Sequence, residues 1–377
     1  MENLSLYVHI PFCESKCYYC NFNSKKAVDS EKEKYVEYLL KEIERESVNY
    51  KNYNVKTIFI GGGTPSCLKS GEILKISEKI YSCFNIDPNL EFTLEANPNS
   101  LTFKKCLEYK KAKINRVSVG LQSANNKTLK LLNRIHTKKD FKNAIKNLKK
   151  ACFLNINADI LLSTPNMNKF SLKNTLKFVL KQKLSHLSCY SLILEENTKL
   201  YNLVKQNKIK IPSEAKSVKH YDFCVKFLKK YGFNRYEISN FSLENFECQH
   251  NLVYWNLGNY LGLGLSSHSK IKNTRFNNPE SFNDYYQSLD DNKTTHINRY
   301  SLSLNDEKEE YIMLKLRTNK GINLEEYEKL FNENLLLKKQ KVIEILRDNK
   351  FISINNNHLF LTDAGFKVSN NIILQLI

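Results

Sequence analysis

The chain has 377 residues, 41% of them hydrophobic, with ten cysteines and a formal net charge of +19. That length predicts two or three domains, no run approaches the roughly 18 apolar residues of a bilayer span, and the start, Met1-Glu-Asn-Leu4, lacks a signal or transit pattern. Single cysteines scattered through a long chain without an export signal predict free thiols in a reducing cytoplasm, and lysines spread along every segment predict solvated faces rather than a nucleic-acid groove.

A strand over 5–9 leads into Pro11-Phe-Cys-Glu-Ser-Lys-Cys-Tyr-Tyr-Cys20, where Cys13, Cys17 and Cys20 stand four and then three residues apart. Three thiolates on one tight loop suit a [4Fe-4S] cluster whose fourth iron stays open to a small ligand. A structural zinc would want four closed ligands, commonly from two separate pairs, and the loop has no fourth cysteine or histidine. The remaining cysteines, such as Cys67, Cys106 and Cys189, mostly fall in apolar stretches and read as small buried hydrophobes.

Apolar spacing predicts helices over 31–48, 70–84, 101–111, 125–133, 138–152 and 170–181. Between them lie strands over 56–60, 91–95, 116–120, 157–162 and 186–194. Six strands separated by helices imply a parallel sheet with right-handed crossovers. His9, the run Gly61-Gly-Gly63, Glu95, Gln122 and Asp159 fall within or just beyond the C-terminal parts of these strands. In a barrel such positions converge on one mouth, whereas an open sheet shares only its switch point. The expected fold class is therefore α/β, a partial (β/α)6 TIM-like barrel.

Beyond about residue 195 the alternation weakens. A helix over 213–231 and a strand over 235–238 precede an aromatic and glycine-rich stretch containing Gln249-His-Asn-Leu-Val-Tyr-Trp255. Helices over 309–316, 324–332 and 337–348, a hairpin over 351–361 and a final helix capped by Thr362 resemble a winged helix.

An open iron calls for an amino-carboxylate chelate or something like it. Gly62 and Gly63 offer bare backbone at the mouth, with Thr64 beside them. Glu95 and Asp159 suit an ammonium group or ribose hydroxyls, and Gln122 and Arg134 suit the hydroxyls and carboxylate of the same ligand.

Tyr7-Val-His-Ile-Pro-Phe-Cys13 and Cys17-Tyr-Tyr-Cys20 resemble the radical S-adenosylmethionine (SAM) proteins, in the branch that contains oxygen-independent coproporphyrinogen III oxidase. Gly61-Gly-Gly-Thr-Pro65, Glu95-Ala-Asn-Pro98, Ser118-Val-Gly-Leu-Gln-Ser123, Arg134-Ile-His136 and Asp159-Ile-Leu161 follow in that branch's order. The resemblance implies SAM chelated to the unique iron, with Tyr7, Gly62, Gly63, Thr64, Glu95, Gln122, Arg134 and Asp159 around it. It also implies a choice. The oxidases carry a fourth cysteine two residues after the third, where this chain has Phe22, and an extension ahead of the motif, which here begins at residue 7. Both features, and His250-Asn-Leu-Val-Tyr-Trp255, resemble the heme chaperone (HemW-type) group instead.

That resemblance implies heme as a third cofactor, with His250, Tyr254 and Trp255 beside it and His268 a lesser candidate, and a client hemoprotein as recipient. The oxidase, or another radical SAM enzyme, is the alternative, and the electron donor is not identified. The implied domains are the radical SAM partial barrel over 1–210, a heme-associated α/β extension over 211–300 and the winged-helix-like domain over 301–377. Asn21 stands where the group commonly has aspartate, and Ser163-Thr-Pro165 where Gly-Leu-Pro is usual.

Overall fold

The computed structural model describes residues 1–377. Its first half alternates β1 (Glu2–Ile10), α1 (Asp29–Ser47), β2 (Tyr53–Gly62), α2 (Glu72–Cys83), β3 (Ile86–Ala96), α3 (Phe103–Lys111), β4 (Arg116–Gln122), α4 (Asn126–Leu131), α5 (Lys138–Lys150), β5 (Asn155–Leu162), α6 (Lys169–Leu180) and β6 (His186–Ser191). Strands β1 to β6 pair in parallel in chain order, as the alternation predicts.

Side chains alternate across each strand, and the two faces differ in kind. Leu6, Val8, Ile58, Ile60, Phe92, Leu94, Val117, Val119, Ala158 and Ile160 are buried in the core shared with the helices. The opposite face carries Ser5, Tyr7, Thr57, Phe59, Glu91, Thr93, Glu95, Arg116, Ser118, Asn157 and Asp159, among which Thr57 bonds to Ser5, Arg116 to Thr93, and Ser118 to Asp159 and Asn157 across strands. This polar inner wall departs from the branched apolar layers that fill an ordinary TIM barrel. A polar wall needs an occupant or a plug.

The chain then supplies the plug and both sheet margins. It runs through α7 (Lys199–Lys205), α8 (Glu214–Lys229), β7 (Asn234–Arg235), β8 (Asn240–Ser242), α9 (Gln249–Trp255), β9 (Tyr260–Leu263), β10 (His268–Ile271), β11 (Thr274–Asn277), α10 (Phe282–Asp290) and β12 (Ile297–Ser301). Strand β8 lies antiparallel on β6 and β9 lies parallel on β1, so the twelve-stranded sheet curves as a partial barrel with β12 and β7 at its margins. Leu261, Leu263, Phe276 and Tyr285 enter the same core as β1 to β6.

The remainder comprises α11 (Leu304–Lys315), β13 (Ile322–Asn323), α12 (Leu324–Phe331), α13 (Leu335–Lys338), α14 (Gln340–Asp348), β14 (Ile352–Asn355), β15 (His358–Leu361), α15 (Asp363–Lys367) and α16 (Ser369–Leu376). Its small sheet, ordered β13-β15-β14, and its own core of 17 buried residues set it apart from the 58-residue core of the barrel. Thr362 caps α15 through Gly365 N as expected, but the final helix is broken at Val368 rather than continuous. No helix is long and apolar enough to cross a membrane.

Candidate functional site

The cysteine loop is stitched to the barrel mouth on both sides. Gly63 N donates to Ile10 O at 2.8 Å and Thr64 N to Phe12 O at 2.7 Å, which lays the turn after β2 along the start of the loop. Gly62 adopts φ +103°, and a Cβ there would come within 2.4 Å of the His9 ring; one on Gly63 would meet Phe12 O at 2.5 Å. Loop packing by itself therefore demands these glycines. On the other side Asn133 Nδ2 donates to Lys16 O at 2.9 Å, and Tyr18 N donates to Leu132 O at 3.1 Å.

The sulfurs have their own donors. All three cysteines are free and partly exposed. Thr64 Oγ1 donates to Cys13 Sγ at 3.6 Å and Arg134 Nη1 to Cys17 Sγ at 3.3 Å. Asn97 joins these two donors: its Nδ2 reaches Thr64 Oγ1 at 3.2 Å, and its Oδ1 accepts from Arg134 Nη2 at 2.7 Å. A continuous chain thus runs from Cys13 through Thr64, Asn97 and Arg134 to Cys17. Hydrogen bonds and positive charge at sulfur favour thiolate, the form that binds iron.

The upper lumen wall is acidic. Glu95 accepts from Gly62 N at 3.1 Å, and its pKa is pushed up to about 8 by burial in the barrel and then by the charge of Asp159. Asp159 is also raised by burial, although Asn157 Nδ2 donates to it at 2.7 Å and Ser118 Oγ at 3.2 Å. Asp159 sits in the middle of β5, opposite Gly120 and Ser188, and not near its end. Tyr7 donates to His9 Nδ1 at 3.0 Å while His9 Nε2 donates to Asn23 O at 3.1 Å, so the ring links the barrel wall to the loop. Gln122 ends β4, buried, at φ 65°.

The structure therefore gathers Cys13, Cys17, Thr64 and Arg134 into one hydrogen-bonded set, with Tyr7, Gly62, Gly63 and Glu95 tied to the same mouth. Sequence reasoning did not single out Asn97, although it lies inside the quoted Glu95-Ala-Asn-Pro98 segment. Tyr19, beside Cys17 and buried enough to hold its hydroxyl proton, was likewise missed.

His250, Tyr254 and Trp255 lie elsewhere, on α9, which enters the lower end of the lumen. His250 is 1% exposed. Its Nδ1 meets Thr57 Oγ1 at 2.7 Å, its Nε2 meets Tyr254 Oη at 2.9 Å, and its ring stacks on Phe59 at 5.1 Å. Burial, then the charge of Arg116, lowers its pKa to about 3, so the ring is neutral. Both nitrogens are engaged, and axial ligation through Nε2 would require the Tyr254 hydroxyl to leave. Trp255 is half-buried and His268 exposed.

Comparisons with known proteins agree with this geometry. The family model for the Radical SAM superfamily matches residues 7–179, and that for the HemN C-terminal domain matches 302–368. The "Heme chaperone HemW" of Lactococcus lactis subsp. lactis is 32% identical over 368 residues, covering 98% of this chain and 96% of the relative. That of Buchnera aphidicola subsp. Acyrthosiphon pisum is 37% identical over 383 residues, covering 99% and 98%. Among solved structures, coproporphyrinogen III oxidase (HemN) from Escherichia coli superposes with a TM-score of 0.87 at 21% identity, covering 100% of this chain and 90% of that one. At that identity the likeness speaks for the fold.

Proposed function

The chain belongs to the heme chaperone HemW family within the radical SAM superfamily, and from that membership we propose that it holds a [4Fe-4S] cluster and SAM at the barrel mouth, carries heme, and delivers it to client hemoproteins. Cys13, Cys17 and Cys20 fit the cluster: they are free, partly exposed, and two of them already receive hydrogen bonds at sulfur. When bound, the cluster supplies a low-potential electron and one open iron for the amino and carboxylate groups of SAM. Arg134 and Thr64 offset negative charge on the sulfurs, which raises the potential relative to bare thiolates. Glu95, which burial holds protonated at neutral pH, would pair with the amino end of SAM and release its proton on doing so. Asp159 and Gln122 take the ribose side, and Tyr7 closes the wall.

The Cys13–Thr64–Asn97–Arg134–Cys17 chain is the observation that carries the cluster site. For the carrier role the support is the pair of relatives matched along nearly their whole length. Phe22 adds to it, being 67% exposed at the position where the oxidases have a cysteine. The ten free cysteines suit a reducing cytoplasm. The test is anaerobic reconstitution, followed by coproporphyrinogen with SAM and a reductant in one arm and heme titration in the other. We expect a shifted Soret band on titration and unconsumed coproporphyrinogen. Catalytic formation of protoporphyrinogen would overturn the carrier role in favour of the oxidase.

A further inference from the structure

A cavity of about 510 Å³ lies outside the barrel between α6 and α8, at the same end of the strands as the mouth. That volume is inside the roughly 300–1,000 Å³ range of small-molecule sites. On α8, Lys216, Lys219, His220, Phe223 and Lys226 recur at three- and four-residue steps and so share the face that lines it, while Lys169 opens α6 across the gap. The only carboxylate in the lining, Asp222, is held by Lys367 at 2.6 Å, which leaves the four ammonium groups without a carboxylate partner. The lysine stems and Phe223 make the walls apolar below a positive rim.

His220 lies at this wall, 6% exposed. Its Nδ1 stands 3.4 Å from Ser163 Oγ, and its Nε2 has no partner. With Nδ1–H donating to the serine, Nε2 keeps a free lone pair. Ser163 is itself unusual. It adopts φ 59° directly after β5, a left-handed conformation that is strained for a residue with a side chain. The strain places a hydroxyl against His220 that glycine could not supply. Met167, whose Sδ accepts from Ser163 N at 3.1 Å, contributes wall rather than a ligand.

We propose that this cavity is the holding site for heme: the propionates pair with the α8 and α6 lysines, the macrocycle lies against Phe223 and the lysine stems, and His220 Nε2 ligates the iron. The proposal rests on the carrier role above and locates it. Heme is dianionic, flat and apolar, and carries a metal that accepts a neutral imidazole. Inorganic phosphate would satisfy the charge alone.

The experiment titrates heme, read by the Soret band, into the full-length reconstituted protein and its His220→Ala, Lys216→Glu/Lys219→Glu and His250→Ala variants. Iron-free protoporphyrin, read by fluorescence, isolates the propionate contacts, and melting curves report folding. His220→Ala should move the Soret band and weaken heme by about tenfold or more while sparing iron-free protoporphyrin. The double charge reversal should weaken both ligands. Wild-type Soret position and affinity in folded His220→Ala, or loss of heme confined to His250→Ala, would overturn the placement. So would full competition by inorganic phosphate. Failure of the wild type to take up heme would overturn the carrier role itself, and this placement with it.

Discussion

Glu95 shows most directly how the mouth can sense its ligand. Its carboxyl titrates near 8 rather than at its ordinary 4.5 because the barrel wall desolvates it and Asp159 repels its charge. Between those two pH values the folded protein keeps a proton that the unfolded chain has lost. The stability from this group is therefore complete below pH 4.5, falls as the pH rises, and is gone above about 8. The melting midpoint of the ligand-free protein should fall between pH 5 and 8, and Glu95→Gln should flatten that fall. Parallel pH profiles for the two proteins would mean that the carboxyl is already ionised when folded. A second consequence is proton release on SAM binding near neutral pH, seen as buffer-dependent calorimetric heat and lost in Glu95→Gln.

At the scale of elements, α9 explains how a partial barrel with a polar interior remains folded. This seven-residue helix has no side-chain cap of its own. Glu91 on β3 accepts from Gln249 N and His250 N, each at 3.0 Å, and so caps it from across the lumen. His250 then fastens the helix to Thr57. In His250→Ala, Thr57 keeps its bond to Ser5, but the Tyr254 hydroxyl loses its partner, which costs about 1–3 kcal/mol for a buried group left unsatisfied. We predict a lowered denaturation midpoint with the cluster retained; an unchanged midpoint would mean that the plug is held by other contacts.

The same helix marks where legibility in the sequence stops. The β1-to-β6 alternation was readable because each strand has an apolar face and each helix an amphipathic stripe. Between 239 and 269 the elements are three to seven residues long, too short for periodicity, and the cap of α9 comes from a residue 158 positions earlier. The site divides in the same way. Cys13, Cys17 and Cys20 are legible because their spacing is local, whereas Asn97 matters through contacts with the turn after β2 and with the residues after α4, which no local pattern encodes. Asp159 lies inside β5, which ends at Leu162, where the strand expected over 157–162 also ends.

At the scale of the whole molecule, the barrel and the winged-helix-like unit keep separate cores but are tied edge to edge. Ile238 N donates to Arg317 O at 2.9 Å, Asn319 N donates to Tyr236 O at 3.0 Å, and Arg235 lies over the Phe366 ring at 3.7 Å. The buried pair Lys270–Glu310, joined by the partly exposed Arg275, ties the sheet margin to α11. The net charge of +19 surrounds this assembly with a field that favours anionic cargo and would be screened by salt. The cysteine loop, the acidic barrel mouth and the cavity between α6 and α8 all lie at one end of the strands, which is the arrangement the proposed carrier needs if the state of one site is to govern release from another. Heme transfer tests that claim most directly. Protein reconstituted with its cluster, loaded with heme and freed of excess is mixed with an apo-hemoprotein, and the acceptor's spectrum is followed with and without SAM. The account predicts that the acceptor's Soret band grows as the carrier's declines. Heme that stays on the carrier under both conditions, with the acceptor still able to bind free heme, would contradict it.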